Sequence, residues 1–197
     1  MKNIALISLG CAKNLVDSEV MLGYLAENGY SFVNQAENAD IIIINTCGFI
    51  QPAKNEAVDS IQMALNLKKK RGHVKVIVTG CFMERSSAEL EIKFPDIDGW
   101  IGVNDFDKIV QLVEGETLKK ATKSYLYDHL SPRFQSTPEG WAYVKISEGC
   151  SHSCAFCTIP LIKGPYRSRP ISSIVQEVEK LAAKGVKEIN LISQDST

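Results

Sequence analysis

Two hydrophobic periods alternate along the first hundred residues. IALISL (4–9) is an unbroken apolar run, which predicts a strand buried on both faces. NLVDSEVMLGYLAENG (14–29) follows, with Leu15, Met21, Leu22 and Leu25 at helical spacing and Gly29 as a stop. ADIIIINT (39–46) reads as a second buried strand. Pro52 then opens a helix with Val58, Ile61 and Leu65 on one face, ending in the solvated run KKKRG. VKVIVTG (74–80) predicts a third strand, ERSSAELEIKFPD a short helix, WIGV (100–103) a strand and DFDKIVQLVEG a helix. Strands alternating with helices predict an α/β fold with an open, Rossmann-like parallel sheet over residues 1–115.

Residues 116–140 break this rhythm. They hold two prolines and mixed charge without a clear period, and read as a linker. The β-α alternation restarts at 141 with the strand WAYVKIS. The helix PISSIVQEVEKLAAKG follows, with Ile174, Val178 and Leu181 in register, and then the strand KEINLIS. One β-α-β unit cannot close a barrel or bury both faces of a sheet, so residues 141–197 predict the start of a larger domain in a longer protein.

Charge changes the picture little. Lys and Arg number 22 against 23 for Asp and Glu, so no broad cationic field invites nucleic acid. No apolar run approaches the roughly 18 residues that span a bilayer. The N-terminal apolar run is shorter than the about 7–15 residues of a signal-peptide core. We therefore expect a cytoplasmic chain without a membrane partner, its thiols reduced.

The six cysteines change it most. Cys11, Cys47 and Cys81 each lie just past the carboxyl end of a predicted strand. In a parallel sheet those ends share one edge, where ligands bind. Gly10 and Gly80 directly precede two of them, which suits tight turns beside a bulky group. Three thiols with little nearby histidine favour an iron–sulfur cluster; the plain alternative is three unrelated core cysteines. Cys150, Cys154 and Cys157 form C-x3-C-x2-C in the loop EGCSHSCAFCTIP (148–160). Three thiolates hold three corners of a four-iron cluster and leave the fourth iron open to a chelating molecule. A zinc site completed by His152 and a redox dithiol of Cys154 and Cys157 are the rival readings. Phe156 is either a cover for a bound group or ordinary packing.

SLGCAKNLVDSE, INTCGFI, VTGC, ISEGCSHSCAFCTIP and SRP together resemble the radical S-adenosylmethionine methylthiotransferases, over essentially the whole chain. GCAKNLVDSE and EGCSHSCAFCTIP look closest to the type that modifies an aspartate of a small-subunit ribosomal protein. The resemblance implies that the C-terminal segment begins a radical S-adenosylmethionine partial TIM barrel. It implies two [4Fe-4S] clusters: a radical-generating one on Cys150, Cys154 and Cys157, and an auxiliary one on Cys11, Cys47 and Cys81 that handles sulfur. It further implies S-adenosylmethionine as cofactor, with Ser193, Gln194 and Asp195 in a polar turn beside it. A ribosomal protein would be the substrate, and an electron donor of flavodoxin or ferredoxin type a partner. Modification of a tRNA adenosine is the runner-up, and a non-catalytic metal-binding module the reading from another class. Asn14, Asp17, Ser18 and Glu19 match an N-terminal motif, although helix capping explains Asp17 and Ser18 equally well. Lys163 stands where the family commonly has Arg. Arg167 and Arg169 read either as contacts to a cofactor or substrate, or as part of a solvated loop.

Overall fold

The computed structural model describes residues 2–118 and 125–196. Its N-terminal unit is a five-stranded parallel sheet of β1 (Asn3–Ser8), β2 (Ser31–Phe32), β3 (Ile41–Thr46), β4 (Lys75–Gly80) and β5 (Gly99–Ile101), in the order β2-β1-β3-β4-β5. Helices α1 (Ala12–Glu27), α2 (Gln51–Arg71), α3 (Cys81–Lys93) and α4 (Ile109–Glu114) connect and cover it. Side chains alternate across a strand, and this divides the core in two. Ile42, Ile44, Val76 and Val78 pack against Ala57, Ile61 and Ala64 of α2 and Phe82 and Leu90 of α3. Ile41, Ile43 and Ile77 pack against Met21 and Leu25 of α1 and Ile109 and Val113 of α4.

The C-terminal unit pairs β6 (Trp141–Lys145) with β9 (Glu188–Ile192) in parallel, and α6 (Ile171–Ala183) forms the crossover. Ile174, Val178 and Leu181 lie over Ala142 and Val144 in the register that the sequence predicts. Three short elements escape the sequence reading: β7 (Ser147–Glu148), antiparallel to β8 (Arg167–Ser168), and α5 (Ile159–Lys163). Such pieces are too short to show a period.

Helix α1 departs from its expected form. The pattern predicts a stripe through Leu15, Met21, Leu22 and Leu25, but Leu15 and Leu22 are only half-buried. Lys13, Asn14, Asp17, Ser18 and Glu19 are buried beside Val16, Val20 and Gly23. The reason is that α1 is covered twice. One face lies on the sheet, and the other meets the second unit, where Val16 and Val20 pack with Tyr127, Tyr143 and Ile192. The helix starts at Ala12 with Cys11 at its N-cap, so Asp17 and Ser18 lie inside it and cap nothing.

Residues 125–140 contain no helix or strand, yet they are not loose; 119–124 fall outside the described residues. Tyr127 is 2% exposed. Arg133 donates to Glu19 of α1 at 2.6 Å and to Glu177 of α6 at 2.7 Å. The segment thus straps the two units together. Among the described residues no helix is long and apolar enough to cross a membrane.

Candidate metal centres

β1, β3 and β4 are adjacent and parallel, so their carboxyl ends meet at one edge. Cys11 follows β1 as the N-cap of α1, Cys47 follows β3, and Cys81 opens α3 directly after β4. The first two loops touch: a Cβ on Gly10, whose φ is +92°, would stand 2.6 Å from the Cys47 Cβ and 3.0 Å from its Sγ. Gly80 has φ +98° and runs against Thr46, leaving no room for a side chain. Asn14 gathers all three turns. Its Nδ2 donates to the Leu9 carbonyl at 3.1 Å and to the Thr46 carbonyl at 3.0 Å, and its Oδ1 accepts from the Cys81 thiol at 3.6 Å. Asn45 holds Asn14 in turn, donating to its backbone carbonyl at 2.9 Å.

Cys11 is exposed, Cys47 half-buried and Cys81 buried. Burial pushes the Cys81 thiol up to about 11; Lys163 opposes this, while Asp17, Cys11 and Cys47 add to it. A thiol that resists ionisation among other thiols is costly to deprotonate alone and gains from a cation that all three share. This donor set fits an iron–sulfur cluster.

The second trio lies in the loop between β7 and α5. Cys150 and Cys157 are half-buried and Cys154 is exposed. The Cys157 amide donates to the Cys154 carbonyl at 3.0 Å, which closes a tight turn. Phe156 is 85% exposed, so it is not a core residue. The loop stands open to solvent.

Among the described residues, one group of three potential donors has all its donor atoms within 4.8 Å of one another: Cys150, His152 and Asp195. His152 Nε2 lies 3.0 Å from Asp195 Oδ2. His152 therefore groups with the turn after β9 rather than completing a site with Cys154 and Cys157. Thiolates on a four-iron cube each bind a different iron, so they stand farther apart than the donors of a single ion.

The polar turn at 193–195 is built into the protein. Gln194 Nε2 donates to Glu148 Oε1 at 2.8 Å, while its Oε1 accepts from the Gly149 amide at 3.1 Å and from Lys13. The Ser147 hydroxyl donates to the Asp195 carbonyl at 3.2 Å. Ser193 follows β9 directly.

Between the trios lies a buried charge cluster that the sequence reading missed. Lys163 Nζ is 3.0 Å from Asp17 Oδ2 and 3.8 Å from Glu148 Oε1. Lys145 reaches both Asp17 and Glu148, the latter at 2.6 Å. Lys13 lies 3.5 Å from Glu148. Burial alone would lower the Lys163 ammonium, but Asp17 and Glu148 outweigh it and hold the group above its ordinary value. Burial likewise pushes Glu148 up, and Lys145, Lys163 and Lys13 overcome it to hold the carboxyl well below the usual range. Burial brings Lys13 down to about 8, against the pull of Glu148. Lys163 thus serves as an interior ion-pair partner.

Arg169 corrects both of its expected roles. It is 2% exposed and bonds Glu177 at 2.5 Å, the Lys145 carbonyl at 2.8 Å and the Ser173 hydroxyl at 3.0 Å. Its guanidinium also stacks over Tyr127, 4.3 Å from the ring centre. It is a buried brace, neither a solvated loop residue nor a ligand contact. Arg167 donates to the Tyr125 carbonyl at 3.4 Å, again toward the strap.

The fold defines an α/β protein with three cysteines after adjacent strands of a parallel-sheet unit and three more in the loop that opens a β-α-β unit. Residues 3–102 match the family described as "Uncharacterized protein family UPF0004", and the chain belongs to it. Residues 144–197 match the Radical SAM superfamily. The resemblance read from the cysteine motifs is borne out at this level. The chain is similar over its whole length to curated proteins named "Ribosomal protein uS12 methylthiotransferase RimO". It is 46% identical to the one from Dictyoglomus thermophilum and 50% to the one from Desulforamulus reducens, covering 46% of each. It thus spans about half the length of the curated relatives it matches. Among solved structures it resembles the radical S-adenosylmethionine methyltransferase TsrM from Kitasatospora setae. The TM-score is 0.62 at 15% identity, over 99% of this chain and 48% of that one. At that identity the likeness speaks for the fold alone.

Proposed function

We propose that this chain, within a protein of its relatives' length, belongs to a methylthiotransferase that modifies an aspartate side chain of ribosomal protein uS12. The observation that carries this reading is the pair of cysteine trios, one on each unit, with α1 packed between the units. In this reading residues 1–115 form the auxiliary-cluster domain, 116–140 the linker and 141–197 the start of the radical domain. Cys150, Cys154 and Cys157 would hold a [4Fe-4S] cluster beside bound S-adenosylmethionine. Cys11, Cys47 and Cys81 hold a second one. Bound there, the clusters supply the electron that cleaves the cofactor's sulfonium bond and the iron that carries sulfur.

The chain's own residues do the positioning. Asn14 fixes the three turns that present the N-terminal thiols. Gln194 fixes the turn ahead of Cys150. The open Cys154–Phe156 segment leaves the reactive corner accessible. The electron is expected from a flavodoxin- or ferredoxin-like donor, and the setting is the cytoplasm.

A protein of the relatives' length, reconstituted anaerobically and incubated with uS12, S-adenosylmethionine and a reductant, tests the reading by mass spectrometry. A methylthio group on a uS12 aspartate is the expected product. Methylthiolated tRNA adenosine with unmodified uS12 would assign the runner-up reading instead. The grouping of Cys150, His152 and Asp195 favours a second reading, a single-ion module without catalysis. Zinc in place of iron on metal analysis would support it.

A further inference from the structure

We propose that Lys13 is a positioning residue that sets the two cysteine trios in fixed mutual geometry. Lys13 lies two residues after Cys11, in the first turn of α1, and is 6% exposed. Its ammonium donates to the Gln194 side-chain oxygen and, at 3.0 Å, to the Ser147 carbonyl. That Gln194 oxygen also accepts from the Gly149 amide, and Gly149 directly precedes Cys150. One side chain therefore separates the turn after Cys11 from the turn before Cys150. Glu148 closes the arrangement. It accepts from Gln194 Nε2 at 2.8 Å, lies 3.5 Å from Lys13 and is bonded by Lys145 at 2.6 Å.

The bridge has one element from each unit and runs from the first turn of α1 to the backbone at Ser147 and Gly149, ahead of Cys150. Other ties join the units: Asp17 pairs with Lys145 and Lys163 beside this bridge, and a clamp lies in the strap. Glu19 accepts from Arg133 and from the Ser136 hydroxyl and amide, all in the strap. Breaking that clamp leaves the Lys13–Gln194–Gly149 path intact. Two centres that must address one carbon need a fixed separation, because small misplacements of reacting groups are costly in rate. This functional purpose rests on the reading above. The geometric claim does not, and its first test needs no cofactor.

Hydrogen exchange in the full chain without clusters, comparing Lys13→Met with Glu19→Gln, separates the two kinds of tie. Lys13→Met is expected to speed exchange of the 147–152 amides at least tenfold, while Glu19→Gln speeds exchange in the strap and leaves those amides unchanged. Equal loop exchange in Lys13→Met and the unsubstituted protein overturns the proposal. So does equal acceleration of the loop by both variants, which is what a merely structural role predicts. Should Lys13→Met fail to fold, Gln194→Leu cuts the same bridge from the other unit. The same loop signature is expected, and its absence overturns the proposal.

In the reconstituted full-length protein, Lys13→Met is expected to need at least tenfold more S-adenosylmethionine to change the electron paramagnetic resonance spectrum, at unchanged iron content. An unchanged requirement overturns the positioning role. If S-adenosylmethionine leaves even the unsubstituted spectrum unchanged, the functional reading fails and the exchange result still decides the geometric claim.

Discussion

Asp17 and Lys163, 146 residues apart in sequence, meet at 3.0 Å in the interior, each 2% exposed. Asp17 belongs to the helix that opens the first unit, and Lys163 ends the helix that follows the second cysteine loop. Lys145 shares the same carboxylate. Two ammonium groups on one buried carboxylate make Asp17 one of the points where the units are tied electrostatically.

Removing one partner of a buried pair leaves the other uncompensated, which typically costs about 3–5 kcal/mol. Asp17→Asn is therefore expected to destabilise by that amount in urea titration, and Lys163→Met to be strongly non-additive with it. Lys163 is held charged above its ordinary 10.5, so its contribution is fully present below that pH and is lost as pH rises through the higher folded value. Additive effects of the two substitutions would contradict the coupling.

Asn14 spans three turns. Asn14→Ala removes one buried and one part-buried amide donation, each net about 1 kcal/mol, and frees the Cys81 loop. Reconstituted in a background with Cys150, Cys154 and Cys157 replaced by Ala, the variant is expected to bind clearly less iron than Asn14 protein. Equal iron would show that the three turns hold without it.

The strap makes its own prediction. Arg133→Met removes the link between Glu19 and Glu177 and leaves both carboxylates buried. Proteolysis within 125–136 is expected to accelerate at least tenfold, the rate effect of about 1.4 kcal/mol. Unchanged cleavage would mean that the packing of Tyr127 and the bonds from Ser136 to Glu19 hold the segment without Arg133.

Phe156 offers a control of opposite sign. At 85% exposed it contributes no packing, so Phe156→Ser is expected to change stability by less than about 0.5 kcal/mol. A larger loss would return it to the core. A role as cover for a bound group would appear only in ligand affinity.

The main strands were legible because Ile41–Ile44 and Val76–Val78 are buried on both faces, and burial of that kind writes itself as an apolar run. The cysteines were legible because each follows such a run. Helix α1 was misread because its second cover comes from far away in sequence, so its buried side includes Lys13, Asp17 and Glu19. Periodicity records which side of a helix is apolar; it cannot record that a charged side is buried against matching charges 130 residues on. Arg169 misled for the same reason, since Glu177, Ser173 and Tyr127 meet it only in the folded chain. Gln194 was found as a motif residue, but its engagement by Lys13, Gly149 and Glu148 shows only in three dimensions.

The central claim is that two separate thiol trios each hold an iron–sulfur cluster. Iron analysis of anaerobically reconstituted protein tests it most directly. The unsubstituted chain is expected to bind about eight irons, and each variant lacking one trio about four. Zinc in place of iron, or an unchanged iron content after Cys11, Cys47 and Cys81 are replaced by Ala, would contradict it.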